Sequence, residues 1–330
     1  MSKTTIELLF EWIDKTTDMI QQHKDEPYLD CLAITLESLL EQDFLDETNS
    51  LLTTTVQEKL KKIDLSSYSS DEIRKAAQLA ILKGMKGSTQ QQHVMTPDTI
   101  ALLVGYLAGK VMRSSDKVRV FDPASGTGNL VATVIRHLGK ETIGYGSEID
   151  QTLIKLSVLT ANLQHLSIDF FHQDSLRPFL LDPVDVVVSD LPVGYYPDDV
   201  NANQFELRAE EGHSYSHHLF IEQGINYVQE NGYLIFIIPE FLFESDQADK
   251  LRTFLHEHAH IVGVLHLPES TFKSKNNAKS ILILQKRGQD TEAPKQPLLV
   301  KLPSLKNTKA MEDILGQMNT WFASYLNNEK

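Results

Sequence analysis

The chain has 330 residues, 41% of them hydrophobic and 23% charged, which is the balance of an ordinary soluble globular protein with about two domains. Its 31 Lys and Arg against 45 Asp and Glu give a formal net charge of −14, which disfavours unaided binding to nucleic acid, although a local basic patch stays compatible with it. The single Cys31 excludes an intrachain disulfide, Glu7, Glu11 and Asp14 interrupt any secretory leader, and the longest apolar run, near Tyr233–Ile238, is too short to span a bilayer. A cytoplasmic protein without membrane association is expected.

Residues 1–86 read as a helical domain. Ile6, Leu9, Phe10 and Ile13 make one apolar stripe, and Leu29, Leu32, Leu36, Leu39 and Leu40 make another. Val56, Leu60 and Ile63 continue the pattern. Ser70-Asp71-Glu72 gives a capped, acid-first helix start before Ile73, Ala76, Ala77 and Ala80, and Gly84 to Gly87 breaks that helix. Helix packing is the expected role of this region. From Gln91 the character changes. Thr96-Pro97-Asp98 opens a helix through Ile100, Leu103, Val104 and Leu107, with Pro97 at the first helical position, where its missing N–H costs nothing.

The most informative stretch is Val118–Leu130, Val-Arg-Val-Phe-Asp-Pro-Ala-Ser-Gly-Thr-Gly-Asn-Leu. A β-branched run ends abruptly at Asp122-Pro123, as a buried strand would. Gly126 and Gly128 permit a tight turn, and Leu130, Val131, Val134, Ile135 and Leu138 then follow helical spacing. Strand, glycine turn and helix make the first unit of a nucleotide-binding α/β sheet. A dinucleotide fingerprint would place a third glycine where Val131 stands, and Asp122 would repel pyrophosphate. That carboxylate suits a cationic amine instead. A second strand, Ile143–Gly146, ends in Ser147-Glu148-Ile149-Asp150, and an acid there can take both hydroxyls of a ribose. A third, Ile168–Phe171, ends in His172-Gln173-Asp174-Ser175, placing a further carboxylate near an adenine amine. Amine, ribose and adenine edge together describe S-adenosylmethionine better than a phosphorylated cofactor.

Further strands follow at Val184–Val188, Gly232–Ile238, Ile261–His266 and Ser280–Gln285, alternating with helices as parallel strands require. The last two share a short polar loop, so the final strand is expected to be antiparallel. Beyond Gly288 a Pro-containing linker leads to a short strand at Leu298–Leu302 and a terminal helix striped by Met311, Ile314, Leu315, Met318, Trp321, Phe322 and Tyr325. This stripe fits core packing or a partner helix. The fourth strand runs into Ser189-Asp190-Leu191-Pro192-Val193-Gly194-Tyr195-Tyr196, beside the first strand at the switch point of the sheet. An acid there, stiffened by the nearby proline, can accept a hydrogen bond from an exocyclic amine and aim its lone pair for in-line methyl transfer.

The run Asp190–Tyr196 resembles the Asn/Asp-Pro-Pro-Tyr/Phe motif of amino-group methyltransferases, above all N-6 adenine DNA methyltransferases. Other pieces resemble, in order, the modification subunits of type I restriction systems. These are Gln92–Pro97, Phe121–Gly128, Gly232–Phe243, Leu267–Phe272 and Lys279–Leu282, over roughly residues 90–287. The DLPVGYY variant is also similar to that of the YtxK-like group of small bacterial proteins. The resemblance implies a Rossmann-like, seven-stranded class I methyltransferase sheet over 87–290, behind the all-helical domain and ahead of a C-terminal segment over 291–330. It implies S-adenosylmethionine held by Met95, Thr96, Pro97, Asp122, Pro123, Ala124, Gly126, Thr127, Gly128, Asn129, Glu148, Ile149, Asp174, Ser175 and Asp190. Asp190, Leu191, Pro192, Val193 and Tyr195 would form the acceptor loop.

Leu191 replaces the motif's first proline and Val193 its aromatic, so a base-stacking face is missing from its usual place. Tyr195 or Tyr196 supplies one only if the loop takes a different path. No insertion resembles a target-recognition domain, so DNA is expected to bind the isolated chain weakly, with a specificity or other partner subunit compatible with that. Three functions stay open: adenine N-6 methylation of DNA, methylation of another amine or amide such as protein Gln or an RNA base, and cofactor binding in a regulatory module without base methylation. Lys273, Lys275 and Lys279 read as a polar loop, either solvated or phosphate-contacting. His213, His217 and His218 read as a polar helix opening; neither they nor His256, His258 and His260 have zinc spacing, and no metal is expected.

Overall fold

The computed structural model describes residues 3–86, 95–139, 141–178, 180–272, 278–289 and 291–328. In chain order the elements are α1 (Thr5–Lys24), α2 (Tyr28–Glu41), α3 (Ser50–Leu60), α4 (Ser70–Lys86), α5 (Asp98–Val111), β1 (Lys117–Asp122), α6 (Asn129–Leu138), β2 (Glu141–Glu148), α7 (Gln151–Leu163) and β3 (Ile168–His172). There follow β4 (Val184–Asp190), α8 (Asp199–Ala202), α9 (Ser216–Tyr227), β5 (Val228–Pro239), α10 (Ala248–His258), β6 (Ala259–His266), β7 (Lys279–Lys286), β8 (Leu298–Lys301) and α11 (Thr308–Asn328). They fall into two compact units, one of residues 1–95, 126–129 and 150–172, the other of 96–125, 130–149 and 173–330.

In the first unit α1 starts with a capping box: the Thr4 side chain accepts from the Glu7 N–H at 3.2 Å, and Glu7 accepts from the Thr4 N–H at 2.8 Å. α4 uses the same device one residue earlier than its sequence implies, with Glu72 accepting from the Ser69 N–H at 2.9 Å. α1, α2, α4 and α7 pack together around Leu9, Ile13, Leu32, Leu36 and Leu156. Each such side chain contributes roughly 1.5–3 kcal/mol by leaving water. Gly84 does not break α4. It lies within the helix, and a side chain there would overlap Leu29 and Tyr28, so its role is close approach to α2. Gly87 and the Gln92–Val94 stretch lie outside the described residues.

The strands form a sheet of order β3-β2-β1-β4-β5-β7-β6-β8. In the second unit β1, β2, β4 and β5 run parallel, and β7 is antiparallel to β5 and β6, as its short connection implies. The sheet has eight strands where the sequence suggested seven. The extra one is β8, the short strand read near Leu298, which pairs parallel with β6 from Gly263↔Leu298 to His266↔Lys301. Gly263 allows this, because a Cβ there would sit 2.8 Å from the Leu298 carbonyl oxygen. Val186, Val187 and Val188 of β4 are fully buried, and chain order reverses between β1 and β4. That reversal puts two parallel strand ends beside a crevice. On α11, Met318, Phe322 and Tyr325 are buried, and the Tyr325 hydroxyl donates to Gln285 at 2.9 Å, so this part of the stripe is core packing. No helix among the described residues is long and apolar enough to cross a membrane.

Candidate active site

The second unit gathers carboxylates at the carboxyl ends of its parallel strands. Asp122 closes β1 and is almost completely buried, at 1% exposure. Its Oδ1 accepts from Ser189 Oγ at 2.8 Å and from the Ala124 N–H at 3.1 Å. Burial pushes the Asp122 carboxyl up to about 7; those two hydrogen bonds pull it back down, and the charges of Asp190 and Glu148 add to the rise. Ser189 immediately precedes Asp190 on β4, so it ties the first strand tip to the fourth. No motif marks Ser189 in the sequence; the signal for it is period-2 alternation, which sends it to the face opposite Asp190.

The tip of β2 is fixed by its neighbours. The Ser125 N–H donates to the Ser147 carbonyl at 2.9 Å, Ser147 Oγ to the Gln173 carbonyl at 3.2 Å, and the Gln173 N–H to the Glu148 carbonyl at 3.1 Å. Glu148 is 9% exposed and accepts from the Ile149 N–H at 2.9 Å, while Ile149 stands 66% exposed. Asp174 accepts from the Leu176 N–H at 3.0 Å and, through its other oxygen, from the buried Tyr196 hydroxyl. Burial and the Asp174 contact push that hydroxyl above its ordinary range. Ser175 Oγ donates to the carbonyl of Pro123, so the segment after β3 braces the loop after β1.

Asp190 ends β4 opposite Ile237 of β5. Its Oδ2 accepts from Thr96 Oγ1 at 3.1 Å, just ahead of Pro97, which caps α5 rather than opening it. Its Oδ1 accepts from Lys279 Nζ at 2.5 Å. Lys279 is not in a loop, as its sequence neighbourhood implied, but opens β7 opposite Pro239; Lys273 and Lys275 lie outside the described residues. Leu191 turns into the core at 1% exposure and Tyr196 is also buried, whereas Pro192, Val193 and Tyr195 are exposed. Tyr195 stacks on Tyr215 at 5.0 Å between ring centroids with 12° between planes. The loop therefore presents its aromatic at Tyr195, beyond Gly194 with φ 139°.

His217 and His218 do not form a polar helix opening. Both are fully buried, because α9 is enclosed from Ser216 to Ile225. Burial lowers them to about 3 and about 4, and their ring nitrogens have no hydrogen-bond partner among the described residues. Among the described residues no group of His, Cys, Asp or Glu could hold a metal ion.

In the first unit Gly126 and Gly128 hold left-handed φ values of 54° and 75°. Open space lies where a Gly126 Cβ would project, whereas one on Gly128 would stand 3.2 Å from Phe170 and Ser157. Ser157 Oγ donates to the Gly126 carbonyl at 2.8 Å. Thr127 is buried, Asn129 begins α6, and Met95 belongs to the helical core.

This sheet, with acids at its parallel strand tips and an antiparallel seventh strand, is the fold of the class I S-adenosylmethionine-dependent methyltransferases. A Listeria monocytogenes protein assigned to that class superposes with a TM-score of 0.91 at 41% identity, over 96% of this chain and 98% of that one. Residues 82–320 match the N-6 DNA methylase family, and residues 7–85 match the YtxK N-terminal helical domain. The chain belongs to the N-6 DNA methylase family. It is 44% identical to YtxK of Bacillus subtilis over 98% of this chain and 99% of that protein. A type I restriction enzyme MpnII methylase subunit of Mycoplasma pneumoniae is 23% identical over 88% of this chain, which spans 58% of that protein.

Proposed function

We propose that this chain transfers the methyl group of S-adenosylmethionine to an exocyclic amine held at Asp190, in the manner of an N-6 adenine-specific methylase. The observation that carries this reading is the bond from Ser189 to Asp122, which joins the strand tip suited to the cofactor's ammonium to the strand tip suited to the acceptor. The donor set fits the cofactor: a buried carboxylate suits an ammonium and would repel phosphate. In this reading Asp122, Pro123 and Ala124, with the glycine turn that follows them in the chain, hold the methionine portion. Glu148 takes the ribose hydroxyls, Ile149 covers the adenine face, and Asp174 and Ser175 border its edge. When bound, the cofactor supplies an electrophilic sulfonium methyl.

The chain's own part is orientation. Asp190 accepts a hydrogen bond from the acceptor amine and so directs its lone pair, a gain that comes from positioning. The Leu191 carbonyl and Pro192 shape the slot, and Tyr195 offers the ring that Val193 does not. Base stacking on such a ring stabilises by about 1–3 kcal/mol. One observation favours a regulatory module that binds cofactor without base methylation: Val193, 44% exposed, occupies the motif's aromatic position. Labelled S-adenosylmethionine offered with duplex DNA, RNA and cell protein side by side separates the two. Label entering an adenine amine supports the proposal; cofactor binding with no transfer, and none rescued by Val193→Tyr, leaves only the module.

A further inference from the structure

Lys279 opens β7 directly opposite Pro239 of β5, and that register carries its ammonium to the tip of β4. There it lies 2.5 Å from Asp190 Oδ1, while Thr96 Oγ1 holds Oδ2 at 3.1 Å. Both partners are largely withdrawn from water, with side-chain exposures of 28% for Lys279 and 16% for Asp190. A half-buried pair of this kind is screened less than a surface pair and fixes its carboxylate more firmly. The motif that Asp190 resembles carries either Asn or Asp at this place. Asn offers a neutral acceptor oxygen, and Asp190 paired with Lys279 is likewise neutral as a unit.

We propose that Lys279 is a positioning residue for methyl transfer: it fixes the Asp190 carboxylate and offsets its charge, so that the remaining lone pairs accept an N–H from a neutral amine. The proposal rests on the reading of Asp190 as the residue that holds the acceptor. It also narrows the acceptor class. An exocyclic amine or a carboxamide approaches the pair without electrostatic opposition, whereas an ammonium, such as a protein lysine, meets the charge already in place. Lys279 acts through Asp190, the group it contacts.

The test uses the full-length chain as wild type, Lys279→Met and Lys279→Arg. S-adenosylhomocysteine affinity is measured by calorimetry, and labelled transfer is measured with duplex DNA, RNA and cell protein as probes. Both variants should bind S-adenosylhomocysteine within about twofold of wild type. Lys279→Met should lose at least about tenfold in kcat with the cofactor KM unchanged, and Lys279→Arg should recover part of the loss, because it restores charge but not the compact point contact. The methyl product of the wild type should be an exocyclic amine or amide. Equal kcat in Lys279→Met, loss of cofactor affinity in that variant, or a methyl-lysine product would each overturn the proposal. If the wild type transfers and Lys279→Met matches it, this proposal alone falls; if the wild type binds cofactor and transfers to none of the three probes, the acceptor reading falls with it.

Discussion

If the buried Asp122 holds the cofactor's ammonium as proposed, cofactor binding should depend on pH in a direction that can be worked out in advance. Burial pushes the Asp122 carboxyl up to about 7 from the ordinary 3.8, because it disfavours the charge. Pairing with an ammonium requires the carboxylate, so below pH 7 binding must first expel a proton. Apparent affinity should fall about tenfold per pH unit below 7, and above it Asp122 should add no further dependence. Calorimetry at pH 6 in two buffers of different ionisation enthalpy should report close to one proton released per cofactor bound, with little release from this group at pH 8. Asp122→Asn should abolish the acid limb and weaken binding at pH 8 by roughly 1.5–3 kcal/mol, the scale of a hydrogen bond to a charged group. Stability of the cofactor-free chain carries the same signature with its own sign. The folded value lies above the ordinary 3.8, so the folded state holds the extra proton between about pH 4 and 7. The stability from Asp122 is full below about pH 4 and is lost as pH rises through 7. Wild-type affinity that is flat from pH 5.5 to 7.5, with no proton release, would refute the reasoning.

Other expectations follow from single side chains. Glu148→Ala should weaken S-adenosylmethionine binding by about 1.5–3 kcal/mol, and unchanged affinity in a folded variant would move the ribose elsewhere. His217 and His218, lowered by burial to about 3 and about 4, lie below the ordinary histidine value, so their contribution to stability is present above about pH 6.5 and lost as pH falls toward 4. Their slope is opposite in sign to that of Asp122, and His217→Phe should flatten the acid limb of a urea-midpoint series. Gly84→Ala should lower stability by about 1–3 kcal/mol despite the better helix propensity of alanine, because its methyl overlaps Leu29 and Tyr28; a higher urea midpoint would show that α4 and α2 are not so closely packed. Duplex DNA should bind the isolated chain weakly, and less as salt rises, given the net charge of −14; a nanomolar, sequence-selective complex would contradict this.

The strands and their tip acids were legible because buried parallel strands leave short β-branched runs that stop at polar turns, as at Asp122 and Glu148. What escaped the sequence depended on contacts between distant segments. Ser-Tyr-Ser-His-His reads as a solvated helix start, yet α9 is enclosed and takes its histidines inside. Gly84 looks like a helix breaker until α2 is placed against it, and the short strand near Leu298 joins the sheet only because Gly263 lacks a side chain. Lys279 reads as part of a lysine-bearing loop, and only the antiparallel register of β5 and β7 delivers it to Asp190. The Asp190–Tyr196 loop was half legible: its departures from the motif were plain at Leu191 and Val193, whereas the stacking of Tyr195 on Tyr215 came only with the fold.

The central claim is that Asp190 orients an acceptor amine, and the most direct measurement compares Asp190→Ala with wild type for cofactor affinity and single-turnover methyl transfer. A residue that acts in the transition state should leave S-adenosylmethionine affinity within a few fold while transfer falls by orders of magnitude. Transfer by Asp190→Ala at the wild-type rate, or a parallel loss of cofactor binding and transfer, would contradict it.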